Sequence, residues 1–386
     1  MKLRPDNKLM KAKTVFYKLF GLIMFYFLAT QGNAQVLILD DKSATDSLKK
    51  GVDLIYNFQF EKADQTVKKL KSKYGNHPSI LLYYSILNFY KYFPIASKPK
   101  EYGSYLKSLN EVIVQAEKLE KKFPKSPEPS YYNMIGNLMM ARHQSEDGEY
   151  IRAVNSTRKA YAYIKKGFEL KNVYSEFYFS TGMFNYYRIA FPENHPIYKS
   201  FTIFFPNGDK ALGLKDLETA SHKSIFSKAE SMVFSNMIYL RDEYNIPQAM
   251  KFATMLKENY PSNWLFSILY AECLLESKKP DIAEPIIAKL LMRNEAPALL
   301  AGYYLKGLDE KMKGNVDAAK WSFQKALVYG KTKDRLTKGY VGLCYGELGK
   351  IAREEGKLDW TKKYFKQALD NCSFKKVKAD AKAAGF

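Results

Sequence analysis

Residues 301–327 read AGYYLKGLDEKMKGNVDAAKWSFQKAL, and residues 342–369 read GLCYGELGKIAREEGKLDWTKKYFKQAL. Each stretch reads as a helical hairpin, and the two align. Gly307 precedes Ala319 by twelve residues, just as Gly349 precedes Thr361. Phe323 and Phe365 follow four residues later, and Ala326 and Ala368 three after that. A glycine in one helix and a small residue in the next let two backbones approach closely. The Phe and Ala then close the packing against the following hairpin. Such a unit cannot bury its apolar face alone, so the pattern calls for a stack of hairpins.

The same spacing recurs upstream. Gly51 and Ala63 stand twelve apart in GVDLIYNFQFEKADQTVKKLKSKYGNHP, with the turn over Asn57 to Phe60 and Pro78 after the second helix. Ala249 with Ala253 and Leu256 marks another hairpin, closed by Pro261. Ala283 with Ile287 and Leu290 follows 34 residues on. Ala319 comes 36 after that and Thr361 another 42, the last link carrying a longer loop around GKTKDR. This pattern resembles the tetratricopeptide repeat (TPR) family, which implies an all-α, right-handed solenoid of helical hairpins.

Between these hairpins the pattern loosens. Residues 35–45 read as an extended lead, with Thr45 or Ser47 as candidate cap of the first helix. Residues 46–226 form an irregular helical region and residues 227–386 a regular array. ILLYYSILNFYKYF (80–93) is apolar nearly all round, so that helix is expected to be deeply buried. Tyr105 to Phe123 is an amphipathic helix, Tyr131 to His143 another, and Ile151 to Leu170 a third with a basic face. Residues 182–217 hold three prolines, which no unbroken helix tolerates. Asp209 after the Gly208 turn is a candidate N-cap. Gly182, Phe184, Tyr186, the Pro-containing aromatic stretch, Phe205, Gly208–Asp209, Gly213–Leu214 and Leu217 resemble the family of tetratricopeptide repeat protein 39 and the fungal inclusion-body clearance protein. That likeness implies an all-helical repeat protein and carries no catalytic residues. The tail, KKVKADAKAAGF, reads as a basic, fraying helix end.

The N-terminus reads as a targeting segment. Lys11, Lys13 and Lys18 lead into the apolar run Leu19 to Thr30, and a small–x–small site ends at Ala34. Residues 1–34 are read as a signal peptide cleaved before Gln35, with an uncleaved anchor as the other reading. The run is short for a span, which needs roughly 20 apolar residues. Residue 35 is not Cys, which excludes a lipid anchor at that site. A start at Met10 gives a more ordinary leader than a start at Met1. After cleavage no transmembrane span is expected, and a periplasmic or secreted location is.

The formal charge is +21. The leader holds six Lys/Arg and one Asp, which leaves 55 basic against 39 acidic residues, or +16. Such a balance favours acidic partners or anionic surfaces. No nucleic-acid motif is present, so nucleic acid is not expected as a partner. Cys273, Cys344 and Cys372 make neither a disulfide framework nor a metal spacing. Cys344 and Cys372 sit at ends that antiparallel helices bring together, which makes them a possible disulfide. His77, His143, His195 and His222 are expected on the surface or in loops, with no metal site. No nucleophile elbow, phosphate loop or zinc-protease motif occurs. No cofactor and no catalytic residues are expected.

Recognition remains. In a TPR array the first helix of each hairpin lines a concave groove. Counting back from the small anchors gives Phe234, Ile238 and Arg241; Ile268, Glu272 and Leu275; Tyr304, Leu308 and Lys311; and Lys350 and Arg353. Arg241, Lys311 and Arg353 hold equivalent places, and a basic, aromatic groove suits an extended acidic peptide or a C-terminal carboxylate. Phe234 and Ile238 stand where a chaperone-tail clamp needs polar groups. The expected function is therefore a non-catalytic scaffold holding a protein partner in this groove. The alternative is docking of the basic face on anionic lipid or polysaccharide.

Overall fold

The computed structural model describes residues 36–194, 206–332 and 334–385. They form helices and no strands. The helices are α1 (Lys42–Tyr56), α2 (Phe60–Tyr74), α3 (Pro78–Lys91), α4 (Pro99–Lys122), α5 (Pro127–Glu146), α6 (Tyr150–Leu170), α7 (Phe177–Asn194) and α8 (Lys210–Lys223). They continue with α9 (Lys228–Arg241), α10 (Ile246–Asn259), α11 (Trp264–Glu276), α12 (Pro280–Leu291), α13 (Ala296–Met312), α14 (Val316–Val328), α15 (Arg335–Glu354), α16 (Leu358–Asn371) and α17 (Lys375–Ala383). Among the described residues no helix is long and apolar enough to cross a membrane. The leader at 1–34 lies outside the described residues, as does His195.

Helix starts follow from local chemistry. Asp41, Ser126, Asp209, Asn245, Asn263 and Asp334 each accept a hydrogen bond from a backbone N–H of the first turn. Proline opens α3, α4, α5, α10, α12 and α13, where its missing N–H costs nothing. Asp209 caps as the sequence suggests. Thr45 and Ser47 do not: Asp41 caps α1 four residues before Thr45, and its carboxylate also receives Lys73 and the Tyr74 hydroxyl.

One turn recurs six times. Phe58, Gly148, Tyr244, Lys278, Gly314 and Gly356 all have positive φ, and each stands two residues before a helix. In five of the six, the next N–H bonds the carbonyl five residues back: Gln59 to Leu54, Glu149 to Gln144, Lys279 to Leu274, Asn315 to Glu310 and Lys357 to Ala352. This is the helix-ending pattern that satisfies orphan carbonyls. Five residues beyond each turn sits a buried small residue: Ala63, Ala153, Ala249, Ala283, Ala319 and Thr361. The repeat therefore also includes α5/α6, inside the stretch read as irregular. Adjacent helices pack in pairs throughout, giving the hairpins of a helical solenoid.

Large rings fill what the small residues leave open. A methyl placed on Gly307 would stand 2.5 Å from the ring of Phe323, and one on Gly51 would stand 2.5 Å from Tyr83. Burying a ring such as Phe323 contributes about 2–3 kcal/mol. Helices α7 and α8 touch backbone to backbone, with the Gly213 carbonyl 2.9 Å from where a Gly182 methyl would sit. Helices α1 and α3 also close onto the middle of the chain. The hydroxyls of Tyr56 and Tyr90 both donate to Glu230, at 3.2 and 2.7 Å. Tyr260 donates to Asp53 at 2.8 Å, and the Asn263 amide donates to the Tyr56 carbonyl at 2.7 Å.

Candidate functional site: the inner groove and its occupant

The first helices α9, α11, α13 and α15 pack against one another in series, whereas α10, α12, α14 and α16 have no comparable mutual contact. An array bends toward the side where its members are closer, so these four first helices line its inner side. The residues derived from the repeat register lie on them, in four different environments.

Arg241, the last residue of α9, makes a two-pronged ion pair with Glu272 of α11: Nη2 donates to Oε2 at 2.6 Å, and Nη1 stands 2.6 Å from Oε1 without hydrogen-bond geometry. Glu272 is fully buried and Arg241 only 7% exposed. The Tyr340 hydroxyl adds a bond to Glu272 at 3.0 Å. Burial works against the guanidinium charge, but Glu272 beside it more than offsets this and raises the Arg241 pKa. Burial pushes the Tyr304 and Tyr340 hydroxyls well above the ordinary tyrosine range. Lys311 and Lys350 converge on Glu347, the former at 2.9 Å. Burial alone would raise the Glu347 carboxyl, but the two flanking lysines hold it below its ordinary value.

Ile238, Arg241, Glu272 and Tyr304 are buried, so they offer no surface to a partner. The reason is their packing: the Arg241–Glu272 pair is sealed from above, and Ile238 belongs to the core around Tyr186 and Leu217. Phe234 is half-buried against Phe179. Lys311 and Lys350 are half-buried and ion-paired, and Arg353 is exposed.

The seal is the chain's own tail. α17 packs on α15 and α16 and is anchored on the inner side. The Arg241 guanidinium lies over the Phe374 ring at 5.1 Å. Lys376 pairs with Glu276 of α11 at 2.9 Å, Asp380 with Lys350 of α15 at 3.6 Å, and Lys375 reaches the Asp242 carbonyl at 3.5 Å. Val377 and Ala381 are 3% and 1% exposed. A residual cavity of ≈ 10 Å³ remains, lined by Arg241, Tyr304, Glu347, Lys376 and Asp380 among others. The tail is thus not a fraying end: it is seated across three of the four first helices, where its apolar side and its charges both find partners.

Other sequence expectations fare differently. All three cysteines are free thiols and buried. Cys344 and Cys372 are not bonded to each other in the structure, and Cys372 lies against Gly342, where an added methyl would stand 2.5 Å from its sulfur. His77 and His143 are buried rather than on the surface. His143 bonds the Tyr105 hydroxyl at 2.9 Å amid aromatic rings. His77 caps α3 and faces Glu128 at 3.4 Å, while Glu128 accepts the Ile38 and Leu39 N–H groups at 3.2 and 3.1 Å. Burial lifts the Glu128 carboxyl to about 7 and lowers the His77 imidazole to about 4. A second buried carboxylate, Glu176, likewise gathers the N–H groups of Ile225, Phe226 and Ser227. His222 is exposed. Among the described residues no cluster of three or more His, Cys, Asp or Glu side chains is placed to hold a metal ion.

No protein-family model matches the chain, and no curated protein is significantly similar to it.

Proposed function

We propose that the chain is a non-catalytic interaction scaffold of tetratricopeptide-repeat type, a right-handed solenoid that holds another protein in its inner groove. The observation that carries this reading is that the groove already holds a peptide helix, through ion pairs from Glu276 and Lys350 and apolar seats for Val377 and Ala381. A surface that binds helix α17 this way has the chemistry to bind a partner segment. The basic leader and apolar run at 1–34 support export to the periplasm or cell exterior.

The test is affinity capture from envelope extract with the chain from Gln35, beside an Arg353→Glu variant. Arg241 and Lys311 are unsuited to this test because each is paired with a buried carboxylate, Glu272 or Glu347. One protein retained by the wild type, lost by the variant and rebound in purified form supports the reading. Failure to retain any protein on either bait refutes it.

A second reading has its own support in α6. That helix exposes Tyr150, Ile151 and Val154 beside Arg152, Arg158, Lys159 and Lys165. Basic side chains around exposed apolar ones suit an anionic lipid or polysaccharide surface. Recovery of such material alone, released by moderate salt from both baits, selects it.

A further inference from the structure

We propose that α17 is a resident competitor in the groove, and that the partner presents an amphipathic helix of the same pattern. This rests on the scaffold reading above and adds to it the shape and charge of the ligand. The pattern is an aromatic residue, a basic residue two positions on, a β-branched residue at three, an acidic residue at six and a small one at seven. In the chain itself these are Phe374, Lys376, Val377, Asp380 and Ala381. The apolar positions repeat at zero, three and seven, which is one face of a helix.

Four of the five positions have a receiving group that belongs to the groove and not to the tail, and the fifth, Ala381, is buried. Arg241 lies under the aromatic ring, Glu276 meets the lysine and Lys350 meets the aspartate. On α15, methyls added at Gly339 and Gly346 would stand 3.3 Å from Phe374 and 3.7 Å from Val377. Gly339 thus leaves room for the Phe374 ring against α15, while Val377 packs beside Gly346 at ordinary contact distance. The occupant itself is lightly held. It is nine residues long, below the length at which an isolated helix is stable, and it has only two buried apolar side chains, Val377 and Ala381. Elements with so little buried surface open locally well below the cost of global unfolding.

Displacement is measurable with a labelled peptide of residues 373–386, SFKKVKADAKAAGF, titrated into the full chain from Gln35. The wild type is compared with a Val377→Asp/Ala381→Asp variant, in which a charged tail cannot re-enter its seat. The expected result is binding to the released variant about tenfold or more tighter than to the wild type, since the resident tail reduces the competent fraction. A peptide carrying Val377→Asp is expected not to bind. Equal affinity for both proteins overturns the proposal. Amide hydrogen exchange on the wild type decides the case if the variant fails to fold. Amides of 375–384 exchanging at least about tenfold faster than those of α15 support a displaceable tail; exchange only with global unfolding overturns it. Concentration-dependent dimers that exchange tails between chains also overturn it, by making a second copy the occupant. If the peptide binds the released variant while envelope capture on that same variant also retains nothing, the helix groove stands and the scaffold reading falls.

Discussion

Removing either member of the Arg241–Glu272 pair should destabilise the chain far more than removing both. The pair is two-pronged at 2.6 Å, and Glu272 has no exposed surface. Arg241→Met leaves a carboxylate in a dry site with only the Tyr340 hydroxyl as donor. Glu272→Leu leaves a guanidinium there with no counter-charge. Each single loss is expected to cost about 3–5 kcal/mol. The double variant fills the same space with apolar atoms and strands only the Tyr340 hydroxyl, about 1 kcal/mol. The cycle should therefore return a coupling energy of about 5 kcal/mol or more in magnitude. Urea unfolding followed by far-UV circular dichroism gives the three differences. Tryptophan fluorescence supplies a second probe, because Trp264, Trp321 and Trp360 all lie in the half of the chain that holds the pair. Single variants within about 1 kcal/mol of wild type, or a double variant whose loss equals the sum of the singles, would refute a buried, unsolvated pair.

The buried pair near the N-terminus should give opposite pH profiles in two variants. Glu128 sits near 7 against an ordinary 4.5, so the folded chain keeps a proton that the unfolded chain loses, and stability falls as pH rises through that window. His77 sits near 4 against 6.5, so the unfolded chain takes a proton the folded one refuses, and stability falls as pH drops through that window. His77→Gln should leave only the first slope and Glu128→Gln only the second, each about 3 kcal/mol across its range; parallel profiles would be inconsistent with this. Gly307→Ala should cost about 1–3 kcal/mol by pressing on Phe323, with partial recovery on adding Phe323→Leu; an unchanged melting temperature would contradict the 2.5 Å approach. At the recurrent turn, Lys278→Gly should stabilise by about 0.5–1 kcal/mol while Gly314→Ala destabilises by about 1–2, read as melting shifts of opposite sign. Thiol titration of the denatured, non-reduced chain should find three free cysteines; one would mean that a disulfide forms.

The hairpin pattern was legible where the anchors were Gly and Ala at regular spacing, as at Gly51 and Ala63 or Gly307 and Ala319. Ala153 escaped because the residue four beyond it is the polar Thr157, where the recognised hairpins carry Val67, Ala253, Ile287, Phe323 or Phe365, and because its helix α6 exposes Tyr150, Ile151 and Val154. The turns at Phe58, Tyr244 and Lys278 carry no glycine, so composition alone does not announce their positive φ. Register counting found the groove residues but not their surroundings. Glu272 looks like any helical glutamate until the fold brings Arg241 and Tyr340 to it. A tail rich in lysine reads as solvated because local composition is silent about Glu276, about 100 residues away in sequence, which receives one of those lysines. Burial of His77 is likewise decided by Glu128, far along the chain, and not by its neighbours.

The hydroxyl bonds from Tyr56 and Tyr90 to Glu230, and from Tyr260 to Asp53, change how the molecule would respond to tension. An open stack of hairpins extends like a spring, each joint giving a little, because every repeat touches only its neighbours. Here α1 and α3 are clasped to α9, and α1 also to the link between α10 and α11, so the intervening stretch is a closed loop with no free end to draw out. Pulled from its two ends, the chain should yield in stages: the hairpins from α13 onward lengthen first, and the loop stays shut until the clasp gives way.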